Sequence, residues 1–233
     1  MSTPALILAT HNQGKIAEMR DLLTDLVPGL DPASIVSASQ MGAPEPVEDG
    51  LTFAANATIK ARALAMATGL PAVADDSGLC VDVLGGAPGI FSARWCGHHG
   101  DDDANLDLLL AQIADVADPH RTARFTCAAV LAVPGSPGGT SSPGGPGGAA
   151  EPEITVIEHS MHGRLLHARR GEGGFGYDPI FVPEQEDAPG AAGRTTAQMS
   201  PAEKNAISHR GQAVRELARV IAAVLDGGPR LWA

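Results

Sequence analysis

Two adjacent carboxylates, Asp75 and Asp76, follow the apolar run Ala72-Val73-Ala74 and lead into Ser77-Gly78. Two charges at the end of an apolar strand are costly unless something compensates them. Mg2+ does so naturally, because it is hard and is commonly held by one or two carboxylates together with substrate phosphates. Glu48, in an acidic loop, offers a further oxygen. One carboxylate can instead orient an attacking water, or the pair can simply cap a turn or helix. A second candidate is Thr10-His11-Asn12-Gln13-Gly14-Lys15, placed between an apolar run and a helical pattern. Backbone N–H groups at a helix start attract anions, and Lys15 adds a point charge. This is not a Walker A loop, since Ala9 stands where that motif needs its first glycine and Ile16 follows the lysine. A third is Gly173-Gly174-Phe175-Gly176-Tyr177-Asp178-Pro179. Its glycines let a ligand approach the backbone while Phe175 offers a stacking face, or they form a tight turn around a core aromatic. The fourth is Lys204 with Ser208-His209-Arg210-Gly211, whose cations can bind phosphate or donate to a base carbonyl, or line a solvated face. Together the four clusters make an inventory for a nucleotide with Mg2+.

The elements that must position these groups alternate. Ala5–Ala9 reads as a buried strand, and Ile16, Met19, Leu22, Leu23, Leu26 and Val27 recur at helical spacing up to Pro28-Gly29. Ile35–Ser37 reads as a strand and Gly42–Gly50 as a loop. Thr52 caps an alanine-rich helix that runs to Thr68 and stops at Gly69 and Pro71. Ala72–Ala74 and Leu79–Leu84 read as two strands on either side of the Asp pair, with a glycine loop at 85–89. A helix is expected over 101–117, a strand over Phe125–Val133, and strand-like pieces at Ile154–Glu158 and Gly163–Leu166. Ser200-Pro201-Ala202-Glu203 is a helix-start signature. Val214, Leu217, Ala218, Ile221 and Leu225 carry a C-terminal helix, with His209-Arg210-Gly211 as a kink or break before it. Interleaved strands and helices argue an α/β fold. Residues 134–150 are mostly Gly and Pro and read as a flexible loop insertion that is silent for catalysis.

Composition narrows the class. The chain has 233 residues, 44% of them hydrophobic, which suits one large domain or two lobes sharing a core. Sixteen Lys plus Arg against 27 Asp plus Glu gives a net charge of −11, which argues against a nucleic-acid polymer as partner but not against a small anion. No run approaches the ~20 apolar residues that span a bilayer. The start, MSTPALILAT, lacks a basic region and a full apolar region, so no signal peptide is expected. The three cysteines, Cys80, Cys96 and Cys127, form no CxxC pair and read as reduced thiols of a cytoplasmic protein. Cys96 with His98 and His99 fits no zinc motif.

The ordered segments LATHNQGK, ADDSGLCVDVLGGAPGIFSARW, GGFGYDPIF and SPAEKNAISHRGQA closely resemble the inosine triphosphatase family, also called the Ham1-like or dITP/XTP pyrophosphatase family, from about Leu6 to about Ala223. The resemblance implies an α/β fold with a mixed, twisted central sheet and flanking helices. It further implies a single domain in two lobes around a deep nucleotide cleft, and a homodimer. It also implies Mg2+-dependent hydrolysis of the α–β phosphoanhydride of ITP, dITP or XTP to the monophosphate and pyrophosphate, removing deaminated purines from the nucleotide pool. Carried over by position, Thr10, His11, Asn12, Gln13, Gly14 and Lys15 line the triphosphate. By the same match Asp76 is the general base and a metal ligand, with Glu48 and Asp75 helping to hold Mg2+. Lys60 points its amine toward the phosphates, and Ser77 contacts substrate. Phe175, Gly176, Tyr177 and Asp178 receive the nucleoside, and Lys204, His209 and Arg210 complete the base and phosphate contacts. Three rivals remain: a Maf-like pyrophosphatase of related architecture, against which the HRGQ and FGYDP segments speak; a nucleotide sensor without turnover, against which the intact Asp76 speaks; and a structural or interaction module, which would not need carboxylates, lysines and a glycine-flanked aromatic together.

Overall fold

The computed structural model describes residues 3–10, 13–43, 46–135 and 150–226. Its spine is a six-stranded mixed sheet of order β2-β1-β3-β4-β5-β6. The strands are β1 (Leu6–Leu8), β2 (Ile35–Ser37), β3 (Ala72–Val81), β4 (Thr122–Val133), β5 (Glu153–Leu165) and β6 (Phe181–Pro183). The helices are α1 (Gln13–Leu26), α2 (Phe53–Thr68), α3 (Asp102–Gln112), α4 (Glu184–Asp187), α5 (Pro201–Ile207) and α6 (His209–Leu225). β1 runs parallel to both β2 and β3, while β5 and β6 are antiparallel. Most of the expected insertion, residues 136–149, lies outside the described residues, as do His11 and Asn12.

The chain divides into two compact units. The first comprises residues 1–76, 128–158 and 213–233. β1 is wholly buried, α1 buries Ile16, Met19 and Leu23, and α6 buries Val214, Leu217 and Ile221. The helical spacing of these residues is the physical cause of both helices. α2 begins where the Thr52 hydroxyl accepts the Ala55 N–H and ends at Gly69, whose φ of 69° is left-handed. It buries Ala57, Ala61 and Ala65, whose small side chains permit close packing.

The second unit comprises residues 77–127 and 159–212. Its core gathers Leu79, Val81, Leu106, Leu109, Ile113, Phe125, Met161, Leu165, Tyr177, Ile180 and Phe181. The capping box at Ser200 forms as its sequence signature requires: the hydroxyl accepts the Glu203 N–H and the Glu203 carboxylate accepts the Ser200 N–H at 2.8 Å. Those bonds, with Arg194 beside it, hold the Glu203 carboxyl down to about 2. α5 ends at Ser208, whose backbone is extended and whose hydroxyl accepts the Gly211 N–H, so the break lies at Ser208 and the His209-Arg210-Gly211 expected to form it make the first turn of α6 instead.

Four boundaries differ from those expected. The pieces on either side of the Asp pair are one strand, β3, because no residue from Asp75 to Gly78 takes a left-handed backbone. β3 then stops at Val81 rather than Leu84, where Asp82–Leu84 coil into a turn closed by Gly85. The two pieces after the insertion are also one strand, β5. Gly163 sits inside it because a Cβ there would lie 2.2 Å from the Val182 carbonyl of β6, a strand that carried no distinct sequence signal. Finally, α3 stops at Gln112, short of the expected 117, because the Ile113 and Val116 carbonyls turn toward the Arg121 guanidinium instead of continuing the helix.

Candidate functional site

In the first unit the candidate groups converge on the middle of β3. β1 pairs with β3 only as far as Leu8 opposite Val73, so Asp75 and Asp76 lie just beyond that pairing. This explains how two carboxylates can stand inside a long strand. The Asp75 side chain is only 1% exposed, and its Oδ2 lies 3.4 Å from Lys15 Nζ, projected from the first turn of α1. Lys60, near the middle of α2, is shared: its Nζ lies 3.4 Å from Glu48 Oε1 and 3.7 Å from Asp76 Oδ1. Asn56, one turn earlier on the same helix face, donates from Nδ2 to Asp76 Oδ2 at 3.2 Å. Burial pushes the Asp76 carboxyl above the usual carboxylate range. Lys60 works against that shift, Glu48 adds to it, and Asn56 and Lys15 oppose it.

A carboxylate with a raised pKa, lysines beside it and a fixed amide partner can accept a proton from water next to bound phosphate. Among the described residues no three His, Cys, Asp or Glu side chains are gathered closely enough to hold a metal. The donor chemistry nonetheless suits a hard cation. Glu48 and Asp76 meet at one amine, and Mg2+ needs only one or two carboxylates besides phosphate and water. Asp75 stands apart from that pair, on Lys15. Gln13 and Gly14 open α1, Thr10 is half-buried after β1, and Ser77 is half-buried on β3.

The second unit assembles the other candidates around Phe175, a residue that is 52% exposed. Lys204 Nζ lies 5.0 Å from the ring centroid and Arg210 Cζ lies 5.8 Å from it, so two cations flank one aromatic. Asp178 is the hub beneath. Its Oδ2 accepts from Lys204 Nζ at 2.5 Å and from the Phe175 N–H at 2.9 Å, while Oδ1 accepts from the Thr196 hydroxyl at 2.8 Å. Gly174 has φ of 75°, and a Cβ there would meet Asp178 Oδ2 at 2.1 Å, so only glycine permits this anchor. Arg210 and His209 are buried, and the His209 ring stacks on Phe125 with centroids 5.2 Å apart.

Tyr177 does not join Phe175 at the surface. It is 4% exposed, belongs to the core, and donates its hydroxyl to the Ser92 carbonyl at 2.9 Å. Burial and the Asp102 charge push its pKa well above the usual tyrosine value, so it stays neutral. Cys80 and Cys127 are buried and Cys96 is half-buried, and none of the three is in a disulfide. Sequence reasoning missed two contributors. Asn56 was detectable as the residue four before Lys60 on the same face of α2. Asp102 gave no local signal, because its role depends on a loop 74 residues away, where its Oδ2 accepts the Gly176 N–H at 2.9 Å.

Lysines facing buried carboxylates and an exposed aromatic flanked by cations are the groups of a nucleotide-handling α/β protein. The chain belongs to the Ham1 family, whose family model matches residues 6–220. It is 56% identical over 220 residues to the dITP/XTP pyrophosphatase of Streptomyces coelicolor, covering 94% of this chain and 98% of that one. It is 49% identical over 240 residues to the dITP/XTP pyrophosphatase of Bifidobacterium animalis subsp. lactis, covering 96% and 99%. Among solved structures, a HAM1 protein from Coxiella burnetii matches with a TM-score of 0.75 at 36% identity, covering 94% of this chain and 98% of the other. A nucleoside-triphosphatase / dITP/XTP pyrophosphatase from Mycobacterium abscessus matches with a TM-score of 0.68 at 41% identity, covering 91% and 98%. Among the described residues no helix is long and apolar enough to cross a membrane.

Proposed function

We propose that the chain hydrolyses the α–β phosphoanhydride of deaminated purine nucleoside triphosphates, ITP, dITP and XTP, to the monophosphate and pyrophosphate. The observation that carries this reading is the half-buried Asp76, held between Lys60 and Asn56 with Glu48 on the same lysine, in a chain closely similar to proteins named dITP/XTP pyrophosphatases. Asp76 takes the proton of the attacking water and orients it toward the α-phosphorus. Lys15 and Lys60 meet the roughly four negative charges of the triphosphate and stabilise the charge that builds on the departing pyrophosphate. Glu48 and Asp76, with Asp75 nearby, would hold Mg2+, which supplies further neutralisation of phosphate charge when bound.

The base is handled by the second cluster. Phe175 stacks on the purine, and Lys204 and Arg210 donate to the carbonyl at purine position 6. Adenine carries an amine there, so it would leave these donors unpaired. Asp178 and Tyr177 act from beneath the loop, and His209 supports Arg210 from its stack on Phe125. In this reading the two units are lobes of one domain that works as a homodimer in the cytoplasm and clears aberrant purines from the nucleotide pool.

The products test the reaction. With Mg2+ and ITP, the released species is pyrophosphate with IMP; orthophosphate with IDP would place the cleavage elsewhere and overturn the proposal. Lys15→Ala raises the KM for ITP about tenfold with a smaller change in kcat, because it removes a charge-assisted phosphate contact. Unchanged kinetics would take the α1 start out of the site.

A further inference from the structure

The loop that carries Phe175 contains Gly171, Gly173, Gly174 and Gly176, so its backbone has little intrinsic stiffness. An exposed ring on such a loop is a poor platform unless the backbone is held from outside. The structure holds it at both ends with one helix. At the near end, the Arg169 guanidinium reaches the Asp103 carboxylate, the Asp103 carbonyl at 3.1 Å and Asp107 Oδ1 at 2.7 Å. At the far end, the Gly176 N–H donates to Asp102 Oδ2 at 2.9 Å. Asp102, Asp103 and Asp107 all belong to α3. Phe175 is therefore bracketed by two pinned amides: its own N–H on Asp178 and the next on Asp102.

These two pins differ in kind. Asp178 is buried and also binds Lys204 and Thr196, so changing it disturbs several groups at once. Asp102 is exposed at the first position of α3 and touches the loop through one backbone amide. The start of α3 does not depend on it, because the Asp101 carboxylate accepts the Ala104 N–H at 2.9 Å and serves as the cap. The helix therefore keeps its beginning when Asp102 is replaced.

We infer that Asp102 is a positioning residue for purine binding: by accepting the Gly176 N–H it fixes where the Phe175 ring stands, and so sets affinity for the base without touching it. This rests on Phe175 being the base platform. The role requires a hydrogen-bond acceptor and not a negative charge, which separates it from a general electrostatic effect at a helix start.

The test is a double-mutant cycle on the full-length protein with ITP as substrate. Asp102→Ala raises KM about fivefold with kcat within about twofold and an unchanged melting temperature, consistent with the loss of one hydrogen bond that acts before chemistry. Asp102→Asn restores KM to within about twofold of the parent, since the amide oxygen still accepts the Gly176 N–H. In a Phe175→Ala background, adding Asp102→Ala changes KM by less than about twofold, because the platform it positions is gone. Exchange of the Gly176 amide hydrogen with solvent quickens in Asp102→Ala and not in Asp102→Asn. An unchanged KM in Asp102→Ala, equal KM increases in the Ala and Asn variants, or a full additive effect on top of Phe175→Ala would each overturn the inference while leaving the platform standing. An unchanged KM in Phe175→Ala alone would overturn the platform, and the inference with it.

Discussion

Asp76→Asn lowers kcat for ITP by about a thousandfold, within the range expected when a positioned base is removed, and the melting temperature does not fall. The two halves of this result have one cause. Burial holds the Asp76 carboxyl above its usual range, so the native state binds its proton more tightly than the unfolded chain does. By linkage, the ionised form costs stability once pH has risen through the folded pKa, and that cost is present at neutral pH. Asn keeps the shape and removes the partly desolvated charge. Its amide can still meet Asn56, and Lys60 keeps Glu48 at 3.4 Å. Stability is therefore retained while the proton acceptor is lost, as at other sites where function opposes stability. Steady-state kinetics and a thermal melt on the same preparation check both halves. Near-parent kcat would remove Asp76 from its assigned role, and a collapse in melting temperature would make it a structural residue.

Arg121→Ala destabilises the fold by about 4 kcal/mol without touching any proposed substrate contact. The Arg121 side chain is among the largest fully buried ones, with the residue 1% exposed, and it is spent on carbonyls. Nε donates to the Leu165 carbonyl at 3.0 Å, Nη1 to Ile113 at 2.5 Å and Nη2 to Leu166 at 2.8 Å. It thus closes the C-terminus of α3, where the helix dipole favours a cation, and ties it to the end of β5. Alanine strands three buried carbonyls and leaves a void, and each unsatisfied group costs about 1–3 kcal/mol. For a chain of this size that corresponds to a drop in melting temperature of roughly 8–16 °C. Arg121→Lys recovers only part, because an ammonium cannot serve three carbonyls along a planar fork. A loss below about 1 kcal/mol in Arg121→Ala would show that water replaces the guanidinium.

Much of the path from residues to site was legible in the sequence, because the signals were local. Thr52 and Gly69 bound α2, Ser200 and Glu203 start α5, and the periodic Leu, Ile and Met positions define α1 and α6. The candidate groups Asp75, Asp76, Lys15, Phe175 and Lys204 were visible as types that are costly or unusual where they stand, whereas Lys60 was named only through the family resemblance. What failed depended on partners distant in the chain. Asp75-Asp76-Ser77-Gly78 looked like the end of a strand, yet β3 continues through it because the flanking lysines of α1 and α2 compensate the charges. Residues 113–117 carried apolar spacing suited to a helix, but Arg121 claims their carbonyls first. Tyr177 was expected to receive the nucleoside beside Phe175, whereas the Ser92 carbonyl draws its hydroxyl into the core. Asp102 and Asn56 are ordinary helix residues until the loop or strand they serve is in place.

Base selection and the site of cleavage can be read in one experiment. Measuring kcat/KM with Mg2+ for ITP, dITP, XTP and ATP, with pyrophosphate as the scored product, tests both at once. Pyrophosphate is expected from the three deaminated nucleotides with kcat/KM at least about a hundredfold above that for ATP, since adenine would leave the Lys204 and Arg210 donors unpaired. Equal turnover of ATP, or no pyrophosphate from any of the four, would contradict the proposed function.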